Sequence, residues 1–442
     1  MNYYLFPRPI SLLGLLLLLS LSRATVATTS EHPPYKPLVA PVAKDPKTSL
    51  YTISIKTGGA APLVVDLAGS LVWSTCPSTH ATVPCESAPC RAANQQSPRR
   101  CRYVDAGWFG ANREPGSSGC ACTGHPFNPV TGECSIGDLT AMAMSANATD
   151  GRSTLYPVEL PNTVVGSCAP DRLLSSLPAG AAGVAGFSRR PLSLPSQLAS
   201  TRQFGNKFAL CMPGFALFGN SSVYLWSTYH LPDLTSIISY APLVTHSRSG
   251  AHYLPVKSIS LWWGKEIPVP LPAGALDLDA GTGRGGVALS TATPYMAMRP
   301  DVYRPFIQAY DAAMRGREFY VAERVAAVAP FELCYDAGSL RPGKMRQGRE
   351  APTISLELAG TSWGLPNHSY LVFLNGRACV GVVEMGRDGA AAVEDAPAVV
   401  LGGMQLENRL LVFDLDKGVL GFSDLLLYME TDCRAFNFNR AF

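Results

Sequence analysis

Two stretches of this chain are built alike. Pro62–Trp73 reads P-L-V-V-D-L-A-G-S-L-V-W, and Gly285–Tyr295 reads G-G-V-A-L-S-T-A-T-P-Y. Each opens with a short apolar run that fits a buried strand, breaks into small residues, and resumes with an apolar segment. In the first copy Asp66 stands where the strand gives way to the turn; in the second, Ser290 holds that place. A duplicated strand–turn–strand unit predicts two lobes with a site between them. Only one copy carries a carboxylate, and that bounds the chemistry.

The first residues read as an address. Arg8 precedes the leucine-rich run Ser11–Leu21, and Ser22 and Ala24 supply the small residues a signal peptidase needs, so residues 1–24 are expected to be a signal peptide. The run is shorter than the about 20 apolar residues of a membrane span, and no later stretch approaches that length. Secretion is the expectation. The cysteines agree with it: Cys76, Cys85, Cys90, Cys101, Cys120, Cys122, Cys134, Cys168, Cys211, Cys334, Cys379 and Cys433 are even in number, as a disulfide framework requires. Their spacing does not match a zinc ligand set. The crowding from Cys76 to Cys168 predicts a loop-rich, stapled insertion. Sequons at Asn147, Asn220 and Asn367 are candidate glycosylation sites.

A net charge of +3 with no long basic run excludes a nucleic-acid footprint. Charged residues are sparse at 16%, while Gly and Pro number 40 and 36. With short Val/Leu/Ile runs between turn residues, the chain reads as mostly β. Leu50–Ile55 is expected as a strand, Pro126–Gly132 as a hairpin tip, and Gly183–Phe187 as a strand followed by a short helix over Leu192–Leu198. The weakly patterned passage Leu231–Ser236 is the candidate junction. It divides an N-terminal lobe, 37–230, from a C-terminal lobe, 237–433. Asp301–Tyr310 has helical spacing, Ala398–Gly403 and Leu410–Asp414 are expected as late strands, and Val419–Phe422 is expected to finish the second lobe.

These residues together resemble the pepsin-like aspartic peptidases, most closely their disulfide-rich plant branch. The usual first motif, D-T-G-S-x-L-V-W, appears here as Asp66-Leu-Ala-Gly-Ser-Leu-Val-Trp73; the usual second, G-G-x-I-I-D-S-G-T, appears as Gly285-Gly-Val-Ala-Leu-Ser-Thr-Ala-Thr293. Gly183–Gly186, Phe331–Tyr335 and Leu401–Phe422 match other fixed points in order. Within that branch the chain is similar to plant TAXI-type endo-xylanase inhibitors, through Ala40–Tyr51, Leu71–Cys76, Asn128–Gly132, Leu289–Thr291 and Arg299–Pro305. The resemblance implies an all-β, bilobal pepsin-like fold with a cleft between two related lobes. It also implies an apoplastic location and inhibition of microbial family 11 xylanases.

Peptide hydrolysis in that fold needs two carboxylates sharing a proton. Ser290 cannot ionise, and catalytic groups that act as a unit lose nearly everything when one is removed. Leu67 and Ala68 replace the threonine and glycine that ordinarily follow the first aspartate, and Phe127 aligns with the flap tyrosine. Asp66 and Ser290 are therefore expected to be remnant positions, with the Asp66 carboxylate accepting hydrogen bonds from turn amides. Asp279-Ala-Gly-Thr-Gly283 imitates the motif but follows acidic residues and reads as a surface turn. Metalloprotease, P-loop and nucleophile-elbow motifs do not occur, and nothing in the chain calls for a cofactor or a metal.

A xylanase inhibitor must enter a cleft whose chemistry is two carboxylates. The inhibitors that this chain resembles place a histidine there, from the segment before the last cysteine. Here that segment is Ser423–Cys433, it contains no histidine, and His368 is the last in the chain. The leucine that the inhibitors use after the second motif corresponds to Thr293. The expected target-binding surface is therefore Thr291, Ala292, Thr293 and Pro294 with Leu427 and Tyr428, on a monomeric protein whose partner is a microbial endo-xylanase, with no nucleic acid or membrane involved. An aspartic endopeptidase and a cell-wall or storage-globulin-like binding protein are the alternatives.

Overall fold

Both copies of the repeated unit fold into the same five-strand arrangement. In the first, Leu63–Asp66 lies antiparallel to Tyr51–Ile53 and parallel to Gly183–Gly186. Gly183–Gly186 is antiparallel to Val72–Ser74, which runs parallel to Thr154–Cys168. In the second, Val287–Leu289 lies antiparallel to His252–Leu254 and parallel to Val399–Leu401. Val399–Leu401 is antiparallel to Met296–Met298, which runs parallel to Val382–Glu384. The registers make Asp66 equivalent to Ser290, and Gly186 equivalent to Gly402. The computed structural model from which these pairings come describes residues 35–55, 61–96, 101–104, 122–227, 231–316, 322–343, 348–386 and 396–439. The expected signal peptide and Cys120 lie outside them.

Both central strands are apolar on each face, because each is covered on each side. Leu63, Val64 and Val65 are buried, as are Val287 and Leu289. Elsewhere the sheets alternate. In the four-stranded sheet through Ser258–Trp262, Thr353–Glu357 and Ser362–Leu365, Ile259, Leu261, Ile354, Leu356, Trp363 and Leu365 face the core. Ser260 and Ser355 pair on the other face. The helix expected from Asp301 extends over Pro300–Arg315, burying Val302, Tyr303, Phe306, Tyr310 and Met314. The short helix expected from Leu192 runs Leu194–Arg202.

The last two strands also join the sheet of the first half of the chain. Leu410–Asp414 pairs antiparallel with Lys207–Cys211, and Val419–Phe422 pairs with both Leu410–Asp414 and Ser239–Pro242. A 13-stranded sheet therefore runs from Ser239–Pro242 through the late strands into the first half of the chain. The cause is packing: Leu410, Val412, Cys433 and Phe436 share one apolar cluster with Val39, Ala209, Phe215 and Leu217. Within the candidate junction, Leu234 is fully buried in that same cluster, so the passage is a packed turn.

Disulfides staple these layers. Cys76–Cys168, Cys90–Cys122 and Cys101–Cys134 lie in the crowded region, Cys211–Cys433 ties the first half to the C-terminal segment, and Cys334–Cys379 joins neighbouring strands. Cys85 is disulfide-bonded as well. Among the described residues no helix is long and apolar enough to cross a membrane.

Candidate functional site

The two turns that follow the central strands meet. Thr291 is fully buried; its hydroxyl donates to the Val65 carbonyl at 2.5 Å and accepts from the Leu67 amide at 3.2 Å. The equivalent position in the other turn is Leu67, whose side chain cannot return such bonds. The cross-link is one-sided. Thr291 was expected on the target-binding surface; its burial and its two inward bonds take it out of reach of a partner. Ala292, Thr293 and Pro294 are half-buried.

Asp66 is 2% exposed, and its Oδ1 accepts from the Ala68 amide at 2.9 Å. Ser290 behaves differently. Its Oγ lies 3.0 Å from the Thr293 hydroxyl and accepts from the Thr293 amide at 3.2 Å. Thr293 is the equivalent of Gly69. A Cβ on Gly69 would come within 2.7 Å of the Gly186 Cα and 3.0 Å of the Asp66 Oδ2, so the aspartate-bearing turn needs glycine there. Thr293 matches the threonine that the usual second motif carries beside its aspartate, so its presence does not depend on the loss of the carboxylate. Asp279, the imitation motif, is exposed and accepts from the Gly281 amide at 2.7 Å in a turn, as expected for a surface loop.

A hairpin covers the Asp66 side. Phe127 bridges Cys134, and Gly132 closes the turn by donating to the Asn128 carbonyl at 3.0 Å. Asn128 is fully buried and donates at 2.8 Å to the carbonyls of Leu173 and Ser175, which pins the tip. The Trp73 indole donates to the Phe127 carbonyl at 2.9 Å. Beneath lies a cavity of ≈ 10 Å³ lined by Asp66, Ser70, Trp73, His125, Phe127 and Val184. That is room for about one water molecule. His125 carries no signal in the sequence. Its Nδ1 has no hydrogen-bond partner among the described residues, and burial holds its pKa below the ordinary value. Among the described residues, the cavity beside Asp66 has room for about one water, and the equivalent position in the facing turn offers a hydroxyl in place of a carboxylate.

The other expected surface is outward-facing. Leu427 and Tyr428 sit on the 3-10 turn Leu426–Met429 and are 39% and 49% exposed. Behind them is Arg409, 1% exposed, a group sequence reasoning missed because an arginine in the turn before a late strand reads as surface. It donates to the carbonyls of Ser423, at 3.0 Å, and Gly364. Burial lowers it to about 10, against the pull of Asp424 and Tyr428. Burial also raises the Tyr428 phenol, overcoming the opposing effect of Arg409. Of the sequons, Asn220 is exposed and takes a hydrogen bond from Lys207 at 3.0 Å. Asn147 is half-buried within a long strand and Asn367 is half-buried. Among the described residues, no group of three His, Cys, Asp or Glu side chains could hold a metal.

Strand order and the crossed turns define a bilobal all-β protein of pepsin-like fold. Residues 51–220 match the family described as xylanase inhibitor N-terminal and residues 251–424 that described as xylanase inhibitor C-terminal, and the chain belongs to that family. It is 38% identical over 414 residues to a protein named Chitinase CLP from Oryza sativa subsp. japonica, covering 92% of each chain. It is 31% identical over 446 residues to Gamma conglutin 1 from Prunus dulcis, covering 96% of this chain and 95% of the relative. Among solved structures it is similar to edgp, at a TM-score of 0.77 and 29% identity, over 92% of this chain and 100% of that one.

Proposed function

We propose that this protein is secreted, proteolytically silent and monomeric, and that it binds and inhibits microbial cell-wall-degrading glycosidases, family 11 endo-xylanases first among them. The supporting observation is the Leu427–Tyr428 pair, exposed on a turn backed by the buried Arg409 guanidinium. A tyrosine phenol is protonated at acid and neutral pH, and so can donate to one carboxylate of a glycosidase pair. The rigid backing lowers the entropy lost on binding. Ala292, Thr293 and Pro294 form the second part of the contact, and Asn220 is the sequon best placed to carry a glycan.

Titration of the purified protein against a panel of family 11 xylanases at mildly acid pH tests the proposal. Stoichiometric inhibition, weakened at least about tenfold by Tyr428→Ala, is the expected result for an anchor residue. A folded protein that inhibits none of them overturns the target. The relative named as a chitinase favours one second reading, hydrolysis of chitin. A hydrolase of that class uses two carboxylates flanking the scissile bond, and turnover of chitin oligomers by the purified protein would replace the inhibitor reading with an enzymatic one.

A further inference from the structure

Beside the Leu427–Tyr428 turn runs an open groove of ≈ 490 Å³ walled by Trp226, Leu427, Glu430, Thr431, Asp432 and Arg434. Trp226 is 58% exposed, an unusual state for the largest apolar side chain. Its backbone is tied to the groove, since the Thr431 hydroxyl donates to the Trp226 carbonyl at 2.6 Å. The opposite wall is fixed too: the Asp432 Oδ1 accepts from the Arg434 amide at 2.7 Å, and Cys433 between them is disulfide-bonded to Cys211. Glu430 adopts a left-handed backbone, φ 54°, at the end of the turn.

This combination selects a ligand chemistry. The exposed indole offers an apolar face to something flat with polar edges. Glu430 and Asp432 accept hydrogen bonds, while Arg434 donates them. An anion would meet two carboxylates, and a cation would meet the guanidinium. A neutral polyol suffers neither repulsion, and its hydroxyls both donate and accept. The volume lies within the range of small-ligand sites.

We infer that this groove is a binding site for a neutral β-linked oligosaccharide, one pyranose ring stacking on Trp226 and its hydroxyls bonding to Glu430, Asp432 and Arg434. The inference does not require that any glycosidase be inhibited, because the sugar is bound directly.

The test is calorimetric titration of the full chain, without any glycosidase present, with xylohexaose, cellohexaose and chitohexaose. At least one is expected to bind, and Trp226→Ala is expected to weaken it roughly tenfold or more. Glu430→Gln weakens binding less, with unchanged thermal unfolding. Trp262→Ala removes another exposed tryptophan, 57% exposed on a different sheet, and leaves binding intact. No binding of any of the three sugars, or equal binding by Trp226→Ala, overturns the site. Trp226-dependent binding of a lysine-rich peptide, with no sugar bound, would also overturn it by assigning the groove to a basic protein segment. Xylanase inhibition measured separately on the same variants keeps the failure of the inhibitor reading distinct from the failure of this one.

Discussion

The hydroxyl of Thr293 lies 3.0 Å from that of Ser290, whereas the equivalent of Thr293 beside Asp66 is Gly69, with no side chain at all. Thr293 is the threonine that the usual second motif carries beside its aspartate, so it leaves room for one at 290, but Leu67 in the facing turn cannot return the Thr291 cross-link. Ser290→Asp alone is therefore expected to yield no acid peptidase activity above background. Ser290→Asp combined with Leu67→Thr restores the second carboxylate and a hydroxyl on each side of the cross-link, and is the smallest change from which activity is expected. Cleavage of denatured globin at acid pH, with a statine-type inhibitor as control, reads both outcomes.

The Thr291 cross-link joins the two turns from one side. Thr291→Val removes it and leaves the Leu67 amide without its buried partner. A loss of about 2 kcal/mol in denaturant unfolding is expected. Thr291→Ser keeps the hydroxyl and is expected to recover most of that loss. Equal stability of all three proteins would show that the cross-link contributes nothing.

Gly186 and Gly402 occupy equivalent places, and a Cβ would lie 2.4 Å from the Gly69 carbonyl oxygen at one and 2.3 Å from the Tyr295 carbonyl oxygen at the other. Neither oxygen belongs to a side chain that can swing away. Gly186→Ala and Gly402→Ala are each expected to cost about 3 kcal/mol or more, by overpacking beside rigid backbone. Thermal unfolding of the two variants should show similar losses. A large loss in one and none in the other would break the equivalence of the two halves.

His252 is fully buried, donates from Nε2 to the Phe187 carbonyl at 2.8 Å, and lies against Phe413. Burial depresses its pKa to about 4, with nearby Arg189 acting in the same direction. The unfolded chain takes up this proton near 6.5, so it binds more protons than the folded chain between those values. Stability is full above pH 6.5 and falls as pH drops toward 4, by up to about 3 kcal/mol from this group. His252→Gln should be less stable at pH 7.5 yet show a flatter decline to pH 4.5. Parallel declines in the two proteins would remove His252 as the cause.

Much of the frame was legible before any coordinates. The apolar runs at Leu63–Asp66 and Val287–Leu289 announced themselves because strands covered on both faces lack polar interruptions. Asp66 and Ser290 stood out because equivalent turns should carry equivalent residues. The burial of Thr291 was not legible, since a threonine in a turn looks like surface and only the facing strand shows what its hydroxyl reaches. Arg409 and His125 were hidden for a related reason. Their character comes from what covers them, and those neighbours are far away in the chain. The fate of Leu410–Asp414 was also out of reach: a strand's apolar pattern says that it pairs, and not with which strand.

By itself, then, the sequence determined the duplicated unit, the oxidised cysteine framework and the absence of a second carboxylate, because each depends on residue identity at a fixed local spacing. The tertiary structure alone decided that the two turns are linked from one side and that Trp226 meets the Leu427–Arg434 segment across a groove. Those features rest on contacts between residues up to about half the chain apart, and hydrophobic burial, which brings them together, is non-directional and leaves no local mark of the partner it will choose.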